Sequence, residues 1–192
     1  KLKAMNFKST WIQPKTLIFL FLLTNTIYIL MLTWSIPLVM EHAGGIKLLD
    51  MRPLGYSELA IHELFEALGS AGRAVYADLK IQIDMLYPGL FGVTYALILS
   101  KLSGRISQLK KYSMYMSMIP ILAALSDYGE NVLFLMMLES YPLIQSSHAS
   151  LASSFSLIKS LSTTISLLLF FLFLILEAEV FIRRKKHTAA LK

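Results

Sequence analysis

The stretch Ile119–Leu138, IPILAALSDYGENVLFLMML, decides how the whole chain is read. It is as long and apolar as a bilayer crossing requires, about 20 residues at ~1.5 Å of rise each. Its middle, however, reads Asp127-Tyr128-Gly129-Glu130-Asn131. An Asp at the centre of a spanning helix costs ~2.5–3.5 kcal/mol on insertion, so such a group turns inward, toward a partner, a cavity or a ligand. Asp127, Glu130 and Asn131 stand at i, i+3 and i+4, and therefore share one helical face.

The remainder of the chain gives that helix its surroundings. Of 192 residues, 56% are hydrophobic and 16% charged, and the mean hydropathy is +0.61. This is too apolar for an ordinary soluble domain. A first span is expected over about 16–40, flanked by Trp11 and Trp34 and ending at Pro37-Leu38-Val39-Met40-Glu41 instead of a small-residue cleavage site. The connection 41–80 is polar and holds six acids: Glu41, Asp50, Glu58, Glu63, Glu66 and Asp78. Within it Ser57 can cap an amphipathic helix over about 57–68, with Leu59, Ile61, Leu64, Phe65 and Leu68 on one side. Gly69-Ser70-Ala71-Gly72 then loosens the helix.

A second span is expected over about 81–102, carrying Asp84, Tyr87 and Pro88; the proline frees a backbone carbonyl. The third runs over about 114–138. After a Ser-rich connection, Glu139 to Ser156, the fourth covers about 157–182 and reads as the most lipid-exposed, since its centre LLLFFLFLIL holds no polar group. The fold class is thus an all-α, antiparallel four-transmembrane-helix bundle with an outer amphipathic helix, in a single membrane domain.

Charge sets the orientation. The chain carries a formal +6. The N-terminus, the turn with Lys101, Arg105, Lys110 and Lys111, and the tail together hold 13 Lys/Arg, against 5 (Lys47, Arg52, Arg73, Lys80, Lys159) in the other two connections. Both termini are therefore expected on the cytoplasmic or equivalent inner side. Aromatic residues are not interleaved with the basic ones, so no nucleic-acid surface is expected; the tail Arg183-Arg184-Lys185-Lys186 suits anionic lipid. The chain has no Cys, which excludes disulfides and thiolate metal sites.

With the third helix running outward, Asp127 falls near the midplane and Glu130 ~4–5 Å farther out. Asp84 on the antiparallel second helix also falls in the outer half. The candidate site is therefore an outward polar pocket of Asp84, Asp127, Glu130 and Asn131, with Tyr87 or Tyr128 nearby and Arg73 or Lys80 as counter-charge. Two acids within one turn repel if both ionise, which favours a shared proton or a hard cation. The competing reading is that these groups only fix helix register. His62-Glu63-Leu64-Phe65-Glu66 lacks the second imidazole of a His-Glu-x-x-His zinc site, and no metal or cofactor is expected. His42, His62 and His148 all lie in external connections. Ser162, Thr163 and Thr164 read as packing hydroxyls.

Gly72-Arg73-x-x-Tyr76, Asp84-x-x-Tyr87-Pro88 and Asp127-x-x-Glu130-Asn131 together resemble small four-span integral membrane proteins. That resemblance implies the helical architecture and no particular activity. The residues leave three functional readings: an intramembrane acidic site that binds or transports a proton, a cation or a polar lipid head; a structural or accessory subunit of a larger membrane complex, or a homo-oligomer; and a lipid-modifying enzyme, for which no catalytic residues can be named.

Overall fold

The computed structural model describes residues 13–190, without the side chains of Lys80, Ile81, Phe181 and residues 183–190. Trp11, the lysines before Pro14, the Lys80 side chain and the basic side chains of the tail thus lie outside the described part. Among the described residues the protein is entirely helical. Four helical stretches are long and apolar enough to cross a membrane: Pro14–His42, Glu58–Arg105, Lys110–Ser140 and Ser146–Val180.

Helix α1, Pro14–Leu30, starts with proline in its first turn, where a missing N–H costs nothing. It continues through a π turn, Met31–Ser35, into α2, Ile36–His42. Helix α3, Glu58–Leu79, begins where Ser57 Oγ accepts the Ala60 N–H at 3.2 Å. It breaks at Gly69, whose φ of 61° with ψ of −177° is a conformation essentially reserved for glycine. Its first limb buries Ile61, Leu64, Phe65 and Leu68 against the bundle and leaves Glu63 and Glu66 in the open.

Where the sequence suggests one continuous second span over 81–102, the backbone makes a π turn at Lys80–Asp84 and starts afresh as α4, Tyr87–Arg105. Pro88 is the reason. It has no N–H to give the Asp84 carbonyl four residues back, and its fixed φ suits the first turn of a new helix. Helix α5, Ser113–Ser140, and helix α6, Ser146–Ala190, are joined by only five residues. The Ser-rich stretch read as a connection is therefore mostly helix. Its serines and alanines are small enough to let α6 lie close on α5: Ala149, Ala152 and Ser156 are all buried.

Helices α4, α5 and α6 pack against one another, and α1 leans on α4. The first span is the least covered, with 11% of its most apolar window buried against 22% for the fourth. Two apolar clusters fill the bundle. One, at the end carrying the connections 43–57 and 141–145 (the loop end), includes Ile61, Leu64, Phe65, Phe134 and Met137. The other, toward the terminal end where α1 begins and α4 finishes, includes Leu17, Phe91, Tyr95, Leu99, Phe170 and Phe173. Along α5 and α6 the polar residues Asp127, Glu130, Asn131, Ser156 and Lys159 fall between these two clusters.

Candidate functional site: an acid and lysine cluster between the two cores

Helix α6 turns a stripe of small and polar side chains inward, and Lys159 lies on it. A lysine can enter a helical interior only if its ammonium is received by acceptors. Here the Nζ of Lys159 is ion-paired with Glu130 and lies 3.4 Å from Asp127 Oδ1 and 3.8 Å from Asp50 Oδ1. Two elements supply the acids: α5 gives Asp127 and Glu130, and the short 3₁₀ turn Leu49–Met51 gives Asp50. Glu130 and Asp127 are one turn apart, so both reach the same ammonium.

Exposure is graded across the cluster. The side chains of Asp50 and Asp127 are 20% and 17% exposed, that of Lys159 15%, and that of Glu130 only 2%. Asp50 thus stands at the rim and Glu130 at the sealed inner side. Two tyrosines complete the acceptors' shells: Tyr56 Oη donates to Glu130 Oε1 at 3.1 Å, and Tyr76 Oη donates to Asp50 Oδ2 at 2.9 Å. The Tyr56 backbone N–H also donates to Ser153 Oγ on α6 at 2.9 Å. One residue therefore ties the 52–57 loop to both α5 and α6.

Ser156 lies on α6 between Ser153 and Lys159, both along the helix and around it. Its hydroxyl is buried and has no hydrogen-bond partner among the described residues. A buried hydroxyl left so is costly, and here it stands beside the most charged place in the bundle.

The other residues singled out from the sequence are engaged in different ways. Asn131 Nδ2 donates to the backbone carbonyl of Asp84 at 3.0 Å, the carbonyl that Pro88 cannot serve. Across the bundle, Asn131 thus meets the backbone of Asp84. Arg73 does not reach the acids: its Nη1 donates to the Phe65 carbonyl at 2.7 Å, and its guanidinium lies 4.6 Å from the centre of the Tyr141 ring. It joins the two limbs of α3 across the Gly69 break. Tyr87 stacks on Tyr28 of α1 at 5.6 Å, and the Tyr128 hydroxyl packs so closely on Gly89 that a Cβ there would stand 2.6 Å from it.

The histidines are dispersed. His42 Nδ1 sits 2.9 Å from the Leu38 carbonyl of its own helix, and His62 packs against Tyr141 at 5.9 Å. On α6, Thr164 and Ser166 donate to carbonyls one turn back, the local bonding expected of packing hydroxyls.

Asp50, Tyr56, Tyr76 and Lys159 are not marked as site residues by the sequence pattern. One signal for Lys159 does exist there: Ala149, Ala152, Ser156, Lys159, Ser162 and Ser166 recur at three- and four-residue steps, which places the lysine on the small, inward face. No comparable signal marks Asp50 or Tyr56, which reach the site through folded-back loops.

No protein-family model, curated protein or solved structure matches this chain.

Proposed function

We propose that the chain is a multi-pass membrane protein that binds and relays protons at the Lys159–Glu130 pair. The observation that carries this reading is a lysine ammonium held among Asp50, Asp127 and Glu130 in the middle of four candidate spans. Ionisable groups at such depth are expensive, and where they persist they commonly serve ion pathways and proton relays. The lysine stands where a transported metal cation would otherwise sit, which favours proton chemistry over a hard cation or a lipid head.

The graded exposure supports a direction of travel. Protons reach the rim carboxylates Asp50 and Asp127 from the loop end. Protonation of Glu130 neutralises its carboxylate, weakens its hold on Lys159 and so loosens the α5–α6 contact. Beyond the pair, buried hydroxyls continue toward the terminal end at Ser126 on α5 and at Ser162 and Ser166 on α6. The 13 to 5 distribution of Lys and Arg supports both termini inside, with Asp50 facing the outer compartment.

The test is proton flux into liposomes that hold the purified full chain, driven by an imposed pH gradient with potassium and valinomycin clamping the potential. Flux above that of protein-free vesicles, lost in Glu130→Gln and Lys159→Met variants that still elute as folded protein, is the expected result. Protein-free rates with wild-type protein overturn the proposal. That outcome favours the second reading, an accessory subunit whose cluster is an internal staple; the Asn131 bond to Asp84 and the Tyr56 and Tyr76 hydroxyl bonds support it.

A further inference from the structure

The terminal end of the bundle carries a feature that the acid and lysine cluster does not use. Helices α1 and α4 leave a cleft of about 180 Å³ between them. Leu17 and Ile18 of α1 form one wall, Ile98 and Leu102 of α4 the other, and Lys101 and Arg105 join the lining. The pattern on α4 explains the arrangement. Ile98, Lys101, Leu102 and Arg105 stand at i, i+3, i+4 and i+7, one stripe that is apolar toward the helix middle and cationic in the last turn. The last turn of a helix also exposes unpaired carbonyls, beside which cationic side chains are favoured.

Among the described residues the cleft is deep on one side and open on the other. Leu17 and Ile98 are each only 9% exposed, whereas Ile18 is 60% exposed and the Arg105 side chain 54%. Arg105 Nη1 also lies 3.3 Å from Glu177 Oε2 on α6, so the cationic end is already positioned by an ion pair. The groove is open along its Ile18 side, so an elongated ligand lies along it and is not enclosed. The ligand it fits is an amphiphile lying along the groove, with its anionic head at the Lys101 and Arg105 end.

We propose that this α1–α4 cleft binds one anionic phospholipid of the leaflet at the terminal end, its phosphate held by Lys101 and Arg105 and one acyl chain laid over Ile18, Ile98 and Leu102. Charge complementarity selects the head, and the apolar walls select a lipid over inorganic phosphate or a soluble anion. Its residues are not those of the basic tail, where the sequence alone suggests lipid contact. It rests on α1 and α4 spanning a bilayer and is independent of proton chemistry at Lys159.

The experiment uses the full chain in vesicles of equal parts phosphatidylglycerol and phosphatidylcholine. Flotation first establishes whether the chain is bilayer-bound, and native mass spectrometry after mild extraction counts retained lipids. Wild type is expected to retain one phosphatidylglycerol. A K101Q/R105Q variant is expected to lose the preference for phosphatidylglycerol by about tenfold or more, and Ile18→Trp, which fills the open wall, to lower retention of both lipids. Neutralising Arg183, Arg184, Lys185 and Lys186 to Gln is expected to leave the retained lipid in place. A floating K101Q/R105Q variant with unchanged preference overturns the lipid site alone, as does loss of the lipid only in the tail variant. A wild-type chain that fails to float overturns the spanning reading, and the lipid site with it.

Discussion

Asn131 of α5 serves the backbone of the turn that precedes α4: its side-chain amide donates to the Asp84 carbonyl at 3.0 Å, where the helical donor would have been the N–H that Pro88 lacks. This bond links α5 to the turn before α4 from the helical face that also carries Asp127 and Glu130. Asn131→Leu takes that donor from a part-buried carbonyl and is expected to destabilise by ~1–3 kcal/mol. Pro88→Ala restores a backbone donor, so Asn131→Leu should cost about 1 kcal/mol less in that background. Thermal unfolding of the detergent-purified variants, followed by tryptophan fluorescence, measures the coupling. Additive effects would remove the proposed link between the two residues.

The Lys159–Glu130 pair makes an opposite kind of prediction. Lys159→Met strands a carboxylate that is 2% exposed and is expected to cost ~3–5 kcal/mol. Glu130→Gln keeps an oxygen that can accept from Tyr56 and should cost less. The double variant should be more stable than the sum of the two losses, by at least ~1 kcal/mol, because it buries no lone charge. A double variant no better than the sum of the singles would show that the two groups do not depend on each other.

Gly89 and Tyr128 test where a candidate site residue points. Gly89→Ala sets a Cβ 2.6 Å from the Tyr128 hydroxyl oxygen, and that atom must move. A loss of ~1–3 kcal/mol is expected. Tyr128→Phe removes the obstructing atom, leaving the ring carbon at 3.8 Å, and should rescue Gly89→Ala. If Tyr128 belongs to α4 packing and not to the proton path, Tyr128→Phe alone leaves proton flux at the wild-type rate. A large fall in flux, with folding intact, would add Tyr128 to the relay.

The absence of cysteine makes orientation directly measurable. Leu54 is 87% exposed at the loop end, and Gln108 is exposed in the turn between α4 and α5. With both termini inside, Leu54→Cys should react with an impermeant maleimide in intact cells, and Gln108→Cys only after permeabilisation. The reverse pattern would invert the topology and the direction proposed for proton movement.

The sequence made the four apolar helices legible because each is a local property: about 20 apolar residues with turn residues at the ends need no knowledge of their neighbours. It likewise placed Asp127, Glu130 and Asn131 on one face, and the break at Gly69, since helical periodicity and glycine's backbone freedom act over a few residues. Boundaries that depend on neighbours were less legible. Serines at 146–156 read as a connection, yet small side chains are what a close α5–α6 contact requires: a Cβ at Gly129 would stand 2.9 Å from the Phe155 ring.

Only the tertiary structure decided which groups meet the acids. Arg73, expected as a counter-charge, is taken by the Phe65 carbonyl, while Lys159, in the first turn of the expected fourth span, supplies the ammonium. Asp50 and Tyr56 arrive from a loop that folds back onto helices about 70–110 residues farther along. The physical reason is range. Periodicity fixes the direction of a side chain relative to its own helix, but the partner it finds depends on how helices distant in sequence pack, and a desolvated charge selects from whatever that packing brings within reach.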